Sequence, residues 1–215
     1  MRRAVPLLGA LSLLLGCAAH PSPIAAPSAS PAPSGIPEHP GCRQAPPPHS
    51  PAVLEQDFES ADRRYVGGTV HALIPFPTDH VASVLADPNA WRWFVPRVIE
   101  LEDRGLDGPD RLVELDQGVS VFHGRYTLRV RSESDDRLGS HLFRFWVDRR
   151  YPHALDDAWG WFLLWPCGPD RTLLAYHVRI DLGPGLARLL FEGRIRIAAL
   201  VVPQRLAAYI EGTQR

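Results

Sequence analysis

The sequence predicts an α+β domain in which about seven antiparallel strands precede one long terminal helix. Three observations carry this. Between residues 65 and 182, stretch after stretch alternates apolar with polar residues at a period of two, the pattern of half-buried strands. After the first of these strands the period is interrupted by two short helical segments. From Leu186 to Ile210 the apolar residues recur at helical spacing over the longest periodic stretch in the chain.

Taken in order, Tyr65 to Pro75 places Val70, Ala72 and Ile74 on one face and Thr69, His71 and Leu73 on the other. Thr78 offers an N-cap, Asp79 suits the first turn, and Val81 to Leu85 continue a helix that Pro88 ends. Asn89 to Val95 make a second short helix carrying Trp91, Trp93 and Phe94, closed by Pro96. Strands follow at Val98–Asp103, Arg111–Gln117, Val121–Arg131, Leu142–Asp148, Trp159–Trp165 and Thr172–Leu182, with turns at 107–110 and 167–170. The terminal helix of about 25 residues would run about 37 Å. Its apolar stripe is read as Leu186, Leu189, Leu190, Ile197, Leu200, Val201 and Ile210. Pro203 should kink it, because proline removes a backbone donor and crowds the preceding turn.

Composition excludes several functions. The chain is 45% hydrophobic and 22% charged, which suits one domain with a real core over residues 51–215. A net charge of −1 gives no electrostatic reason to expect nucleic acid as a partner. All 23 basic residues are arginine, so Schiff-base chemistry and a lysine-dependent phosphate loop are excluded. The 9 histidines include no His-x-x-x-His pair, and there is no Cys-x-x-Cys, so no metal or cofactor is expected. No Gly-x-Ser-x-Gly is present, and the adjacent acids Asp135-Asp136 and Asp156-Asp157 read as solvated loop residues. No catalytic residue is assigned. The arginine row Arg125, Arg129 and Arg131 reads either as a docking face for anionic headgroups or as partners of acids on neighbouring strands, with Glu100, Glu102, Glu114 and Asp116 at hand.

The N-terminus has a different character. Arg2-Arg3 precede an apolar stretch of about a dozen residues, too short to span a bilayer, that closes on Leu14-Leu15-Gly16-Cys17. This resembles a bacterial lipoprotein signal, with residues 1–16 as the signal peptide. The resemblance implies cleavage before Cys17 and its acylation, which would anchor the chain durably to a membrane of the cell envelope, on its periplasmic face. Ala18 is not the aspartate that commonly retains such proteins at the inner membrane, which favours the outer membrane, although sorting rules differ among bacteria. Residues 17–50 then read as a disordered tether: from Pro21 to Ser50 there are 10 prolines, and the charges are Glu38 and Arg43 alone. Such a segment buries too little apolar surface to offset its ordering entropy. Fully extended, it would reach on the order of 80–90 Å.

Within the domain, Phe76-Pro77 leads to Val81-x-x-Val84-Leu85-x-Asp87, followed by Trp91 and Pro96. Later come Gly160-x-Phe162-x-Leu164-x-Pro166, Arg171-Thr172 and Tyr176, with Pro184 before the terminal helix. These motifs, in this order, resemble the START and polyketide-cyclase (SRPBCC) superfamily over about Arg64 to Glu211. The resemblance implies a helix-grip fold: a curved sheet wrapped on the C-terminal helix, with an apolar cavity between them. It also implies a lipid or other hydrophobic small molecule as partner, while a minority of such proteins are cyclases, dehydratases or hydrolases.

The expected cavity lining is the inward register of each strand: Val70, Ala72 and Ile74; Val113 and Leu115; Phe122, Tyr126 and Leu128; Phe143 and Phe145; Phe162 and Leu164; Tyr176 and Val178. The helix adds Leu189, Leu190, Ile197 and Leu200. Tyr126 and Tyr176 are its polar tips, able to orient a ligand oxygen or to bond a backbone carbonyl. His71, His123 and His177 fall on the opposite register. Trp159, Trp161 and Trp165 lie opposite Phe162 and Leu164, so they face outward and need a cover, or else line the cavity if the register is reversed. With Cys17 acylated, Cys42 and Cys167 remain as an even pair in an oxidising compartment, a possible disulfide. Three functions compete: a tethered carrier or sensor of a hydrophobic ligand, an interaction or envelope-maintenance module with a filled core, and a cyclase-like enzyme acting through Tyr126 and Tyr176.

Overall fold

The computed structural model describes Cys42 and residues 44–60, 63–119 and 122–213. Cys17 and the signal-like segment lie outside them.

The strands are β1 (Ala52–Glu55), β2 (Phe58–Ser60), β3 (Arg63–Ile74), β4 (Val98–Asp107), β5 (Asp110–Val119), β6 (Phe122–Asp135), β7 (Ser140–Val147), β8 (Asp157–Pro166) and β9 (Thr172–Asp181). The helices are α1 (Thr78–Ala86), α2 (Pro88–Phe94), α3 (Leu186–Leu200) and α4 (Val202–Thr213). All strand pairings are antiparallel, in the order β1-β3-β9-β8-β7-β6-β5-β4, with β2 also on β3. The curved sheet and C-terminal helix make the helix-grip fold.

Each strand found from periodicity is present, and most run longer than expected. The sheet has nine strands rather than about seven, because β1 and β2 are short and carry no clear alternation. The expected register holds. Val70, Tyr176, Phe162 and Phe143 stand side by side across β3, β9, β8 and β7, all buried. One row along, Gly160 lies between Val178 and Phe145. A Cβ there would stand 2.2 Å from the His177 carbonyl oxygen and 2.5 Å from Phe145 Cζ, so only glycine lets that ring lie on the strand.

Three helical details differ from expectation. Thr78 is not the cap of α1: Pro77 holds that position without a side-chain bond, and the Thr78 hydroxyl instead accepts from Thr172 Oγ1 at 3.2 Å. α1 ends before Pro88 as expected, with Asp87 extended, but α2 begins at Pro88 itself rather than at Asn89, since its missing N–H costs nothing in a first turn, and Asp87 caps α2 by accepting from Asn89 N at 2.9 Å. The long terminal helix is two helices, interrupted at Val201, because Pro203 cannot donate to Ala199 and crowds its carbonyl.

One half of the concave face is filled by helices. Val81 and Leu85 of α1, Phe94 of α2, and Leu206 and Ile210 of α4 are fully buried with Ile74, Leu164 and Leu174 of the sheet. Among the described residues no helix is long and apolar enough to cross a membrane.

Residues 42–50, assigned by composition to the tether, are tied to the domain. Cys42 forms a disulfide with Cys167, with their Cα atoms 5.5 Å apart. The Pro46 carbonyl accepts from Leu73 N at 2.8 Å, at the edge of β3.

Candidate functional site: an apolar cavity under the terminal helix

The other half of the concave face is not filled. Between it and α3 lies a cavity of about 290 Å3. Its floor is Leu115 and Gln117 of β5, Gly124, Tyr126 and Leu128 of β6, Phe145 of β7, Ala158 and Phe162 of β8, and Tyr176, Val178 and Ile180 of β9. Its roof is Phe191, Ile195, Ala198 and Ala199 of α3 with Val202 of α4. The walls come from Trp91, the 94–97 turn, Ala154, Leu155 and Leu182. Small residues in the roof, Ala198 and Ala199, leave space that larger side chains would occupy.

Of the expected lining, Leu115, Tyr126, Leu128, Phe145, Phe162, Tyr176 and Val178 border the cavity. Val70, Ala72, Ile74, Val113, Phe143, Leu164 and Leu200 are buried in the filled half and do not line it. The Phe122 side chain lies outside the described part of the structure.

Leu189, Leu190 and Ile197 require a correction: they are 80%, 51% and 70% exposed. The helical stripe was assigned by sending the charged residues outward, but two of them face the protein. Glu192 accepts from Arg64 at 2.8 Å, and Arg196 pairs with Asp57 at 2.5 Å. With that face bonded to the β1–β3 edge, the series Phe191, Ile195, Ala198 and Val202 turns to the cavity and the leucines turn to solvent. This series has helical spacing in the sequence, but with four members, one of them alanine, it is less hydrophobic than its rival.

The lining is almost wholly apolar and contains no carboxylate. Gln117 donates through Nε2 to the Pro96 carbonyl at 2.8 Å and accepts from the Tyr126 hydroxyl, which satisfies that phenol. The Tyr176 hydroxyl makes no hydrogen bond among the described residues, although the side chain is buried among Phe145 and Phe162, 6.4 and 4.6 Å away between ring centres. Burial pushes both phenols well above the usual tyrosine range, and for Tyr176 the neighbouring Tyr126 adds to the shift. Both therefore stay protonated at ordinary pH and act as hydrogen-bond donors. At the mouth, Arg97 is in the left-handed region at φ 61°, and its carbonyl accepts from Gly118 N at 3.0 Å. His123 also borders the mouth, although its alternation had placed it on the outer face.

The outer face of the sheet is structural. Trp159 and Trp161 flank His177 at 5.3 and 5.5 Å between ring centres, and all lie opposite the cavity, as does the half-buried Trp165. His177 meets Thr69 Oγ1 at 2.9 Å, and burial together with the Arg179 charge lowers its pKa to about 4, so it is neutral. His71 is exposed. The arginine row pairs with acids: Arg125 with Glu100 at 3.0 Å, Arg129 with Asp110 and Asp148 at 2.7 Å each, and Arg131 with Asp110 at 2.7 Å. Among the described residues no group of His, Cys, Asp and Glu could hold a metal ion.

No family model matches the chain, and no curated protein does. Solved structures do. A STAR-related lipid transfer protein from Xanthomonas axonopodis aligns at a TM-score of 0.59 with 14% identity, covering 75% of this chain and 98% of that one. Human StAR-related lipid transfer protein 5 aligns at 0.56 with 9% identity, covering 77% and 88%. The Zhui aromatase/cyclase from Streptomyces sp. R1128 aligns at 0.54 with 16% identity, covering 71% and 96%. The fold is the helix-grip fold that these START lipid-transfer and aromatase/cyclase structures share.

Proposed function

We propose that this protein is a membrane-tethered carrier of a hydrophobic small molecule held in the cavity beneath α3. The observation that carries the reading is the cavity itself: about 290 Å3, bounded by aromatic and aliphatic side chains, with very few polar groups. That is the composition of small-molecule sites. A filled interaction core would not leave this space. Cyclase chemistry needs an acid or base in contact with the ligand; burial disfavours the phenolate of both inner tyrosines and no carboxylate is in the lining, so no base lies deep in the cavity, and His123 borders only its mouth. The lipid transfer proteins of like fold favour a carrier.

The tether belongs to the same proposal. Acylated Cys17 would anchor the chain in the cell envelope, most simply at the outer membrane, and a Cys42–Cys167 disulfide suits an oxidising compartment.

Native mass spectrometry of the gently purified full chain tests the carrier. A reproducible added mass that is lost on denaturation and extracts into organic solvent is the expected result. A bare protein mass, with no uptake from a total lipid extract, overturns it. The tether is tested by Cys17→Ser, which should move the chain from the membrane to the soluble fraction.

A further inference from the structure

Most described arginines of this domain are matched by a carboxylate within 4.0 Å, from Arg63 with Asp157 to Arg196 with Asp57. Arg97 is not: among the described residues it has no ion pair and no side-chain hydrogen bond. It is also the one such arginine that borders the cavity. Its backbone is held in the left-handed region, which costs a non-glycine residue on the order of 1 kcal/mol or more, and the Gly118 N–H to its carbonyl helps hold it there. No acidic residue in the lining competes for its guanidinium. A second polar group waits deeper: the Tyr176 hydroxyl, on a side chain 4% exposed, borders the cavity and has no hydrogen-bond partner among the described residues. The hydroxyl itself opens onto the cavity, where a ligand oxygen can accept its hydrogen bond.

Size bears on the ligand as well. A space of about 290 Å3 has room for at least one chain of roughly a dozen carbons or a two- to three-ring body.

From these observations we infer that the ligand is a single-chain or small-ring amphiphile with one acidic group at Arg97 and a second oxygen at the Tyr176 hydroxyl. The inference rests on the carrier reading and adds the charge and polarity of the cargo. Arg97 is a specificity residue: planar, always charged, and able to grip a carboxylate, sulfonate or phosphate with two parallel hydrogen bonds at the point where a head group leaves the cavity. The apolar walls bind the body whatever its charge.

The test uses two fluorescent probes with similar aromatic bodies: anionic 1-anilinonaphthalene-8-sulfonate and neutral N-phenyl-1-naphthylamine. Both are titrated into the delipidated full chain. Arg97→Asn removes the charge while tolerating the left-handed backbone. Arg92→Asn makes the same change of net charge at an exposed arginine outside the lining. The expected result is that Arg97→Asn weakens the anionic probe about ten-fold or more and leaves the neutral one unchanged, while Arg92→Asn changes neither. Equal affinity of wild type and Arg97→Asn for the anionic probe overturns the inference and leaves the carrier reading intact. Failure of both probes to bind the wild type removes the carrier reading and this inference with it.

The inner contact is read by displacing the neutral probe with dodecanoate and with hydroxydodecanoates that differ in hydroxyl position. At least one hydroxy acid should bind more tightly than dodecanoate and lose that margin in Tyr176→Phe. If none does, the second contact is wrong.

Discussion

The Asp148 carboxylate, 4% exposed, accepts from Arg129 Nε at 2.7 Å, Arg150 at 2.8 Å and the Arg150 backbone N–H at 3.0 Å. Burial opposes ionisation, but the hydrogen bonds and charges of the two arginines outweigh it and bring the pKa down to about 2. A depressed carboxylate pKa stabilises the fold above the unfolded value near 4, and that contribution is lost as pH falls from there through about 2. The loss should be about 2 kcal/mol. Urea unfolding at pH 7, 4 and 2.5 should therefore show wild type weakening below pH 4 more steeply than Asp148→Asn, which starts less stable. Parallel pH profiles would show that Asp148 is not the group involved. Gly160 gives a residue-scale prediction of another kind. Gly160→Ala forces a methyl against the His177 carbonyl and the Phe145 ring, neither of which can yield without moving a strand or the cavity floor. It should cost about 3 kcal/mol, seen as a lower urea midpoint, and should also reduce uptake of the neutral probe. The sequence could not announce either role: Asp148 reads as a strand end, and Gly160, although it opens the motif Gly160-x-Phe162-x-Leu164-x-Pro166, gives no sign of the Phe145 ring that lies against it.

At the scale of elements, strands were legible and helix phase was not. A strand has two faces, so one buried valine fixes the side of every neighbour; this is why Val70, Phe162 and Tyr176 fall together as the alternation implies. A helix can turn to any angle, and α3 carries two apolar series separated by less than half a turn. What selects between them is non-local: Arg64 and Asp57, more than 120 residues away in sequence, draw Glu192 and Arg196 toward the β1–β3 edge. The division of the concave face into a filled and an empty half was hidden for the same reason. It depends on where α1, α2 and α4 end along the strands, and strand periodicity has no information about that. The phase of α3 can be measured. Phe191→Ala should lower stability by about 3 kcal/mol and change ligand affinity, whereas Leu189→Ala and Ile197→Ala, at exposed positions, should stay within about 0.5 kcal/mol of wild type. Large losses at Leu189 and Ile197 with little effect at Phe191 would mean that the helix lies in the phase first read from the sequence.

At the scale of the whole molecule, the covalent and the binding features occupy different ends of the sheet. The disulfide joins Cys42 to the β8–β9 turn, where Cys167 N also donates to the Arg171 carbonyl at 2.8 Å. The cavity is bounded by none of residues 42–60 or 166–175. The bridge therefore acts on the emergence of the chain from the domain, not on the cargo. It also acts on the edge: β1 is four exposed residues paired with β3 alone, too short to stay ordered without help, and the Pro46 carbonyl bond to Leu73 N lies between the bridge and that strand. Removing the bridge by Cys42→Ser with Cys167→Ser relaxes a loop closed across 125 residues of sequence. The loop-closure argument gives about 5 kcal/mol for a loop of this length, and the loss typical of such bridges is about 2–4 kcal/mol. Two measurements separate this effect from general damage. Hydrogen exchange should speed up at Leu73 and along β1 while the β5–β6 amides of the cavity floor keep their protection relative to global stability. The affinity for the neutral probe should remain at the wild-type value under conditions where the double variant is folded. A matching loss of affinity would mean that the two ends of the sheet are coupled and that the bridge helps shape the cavity.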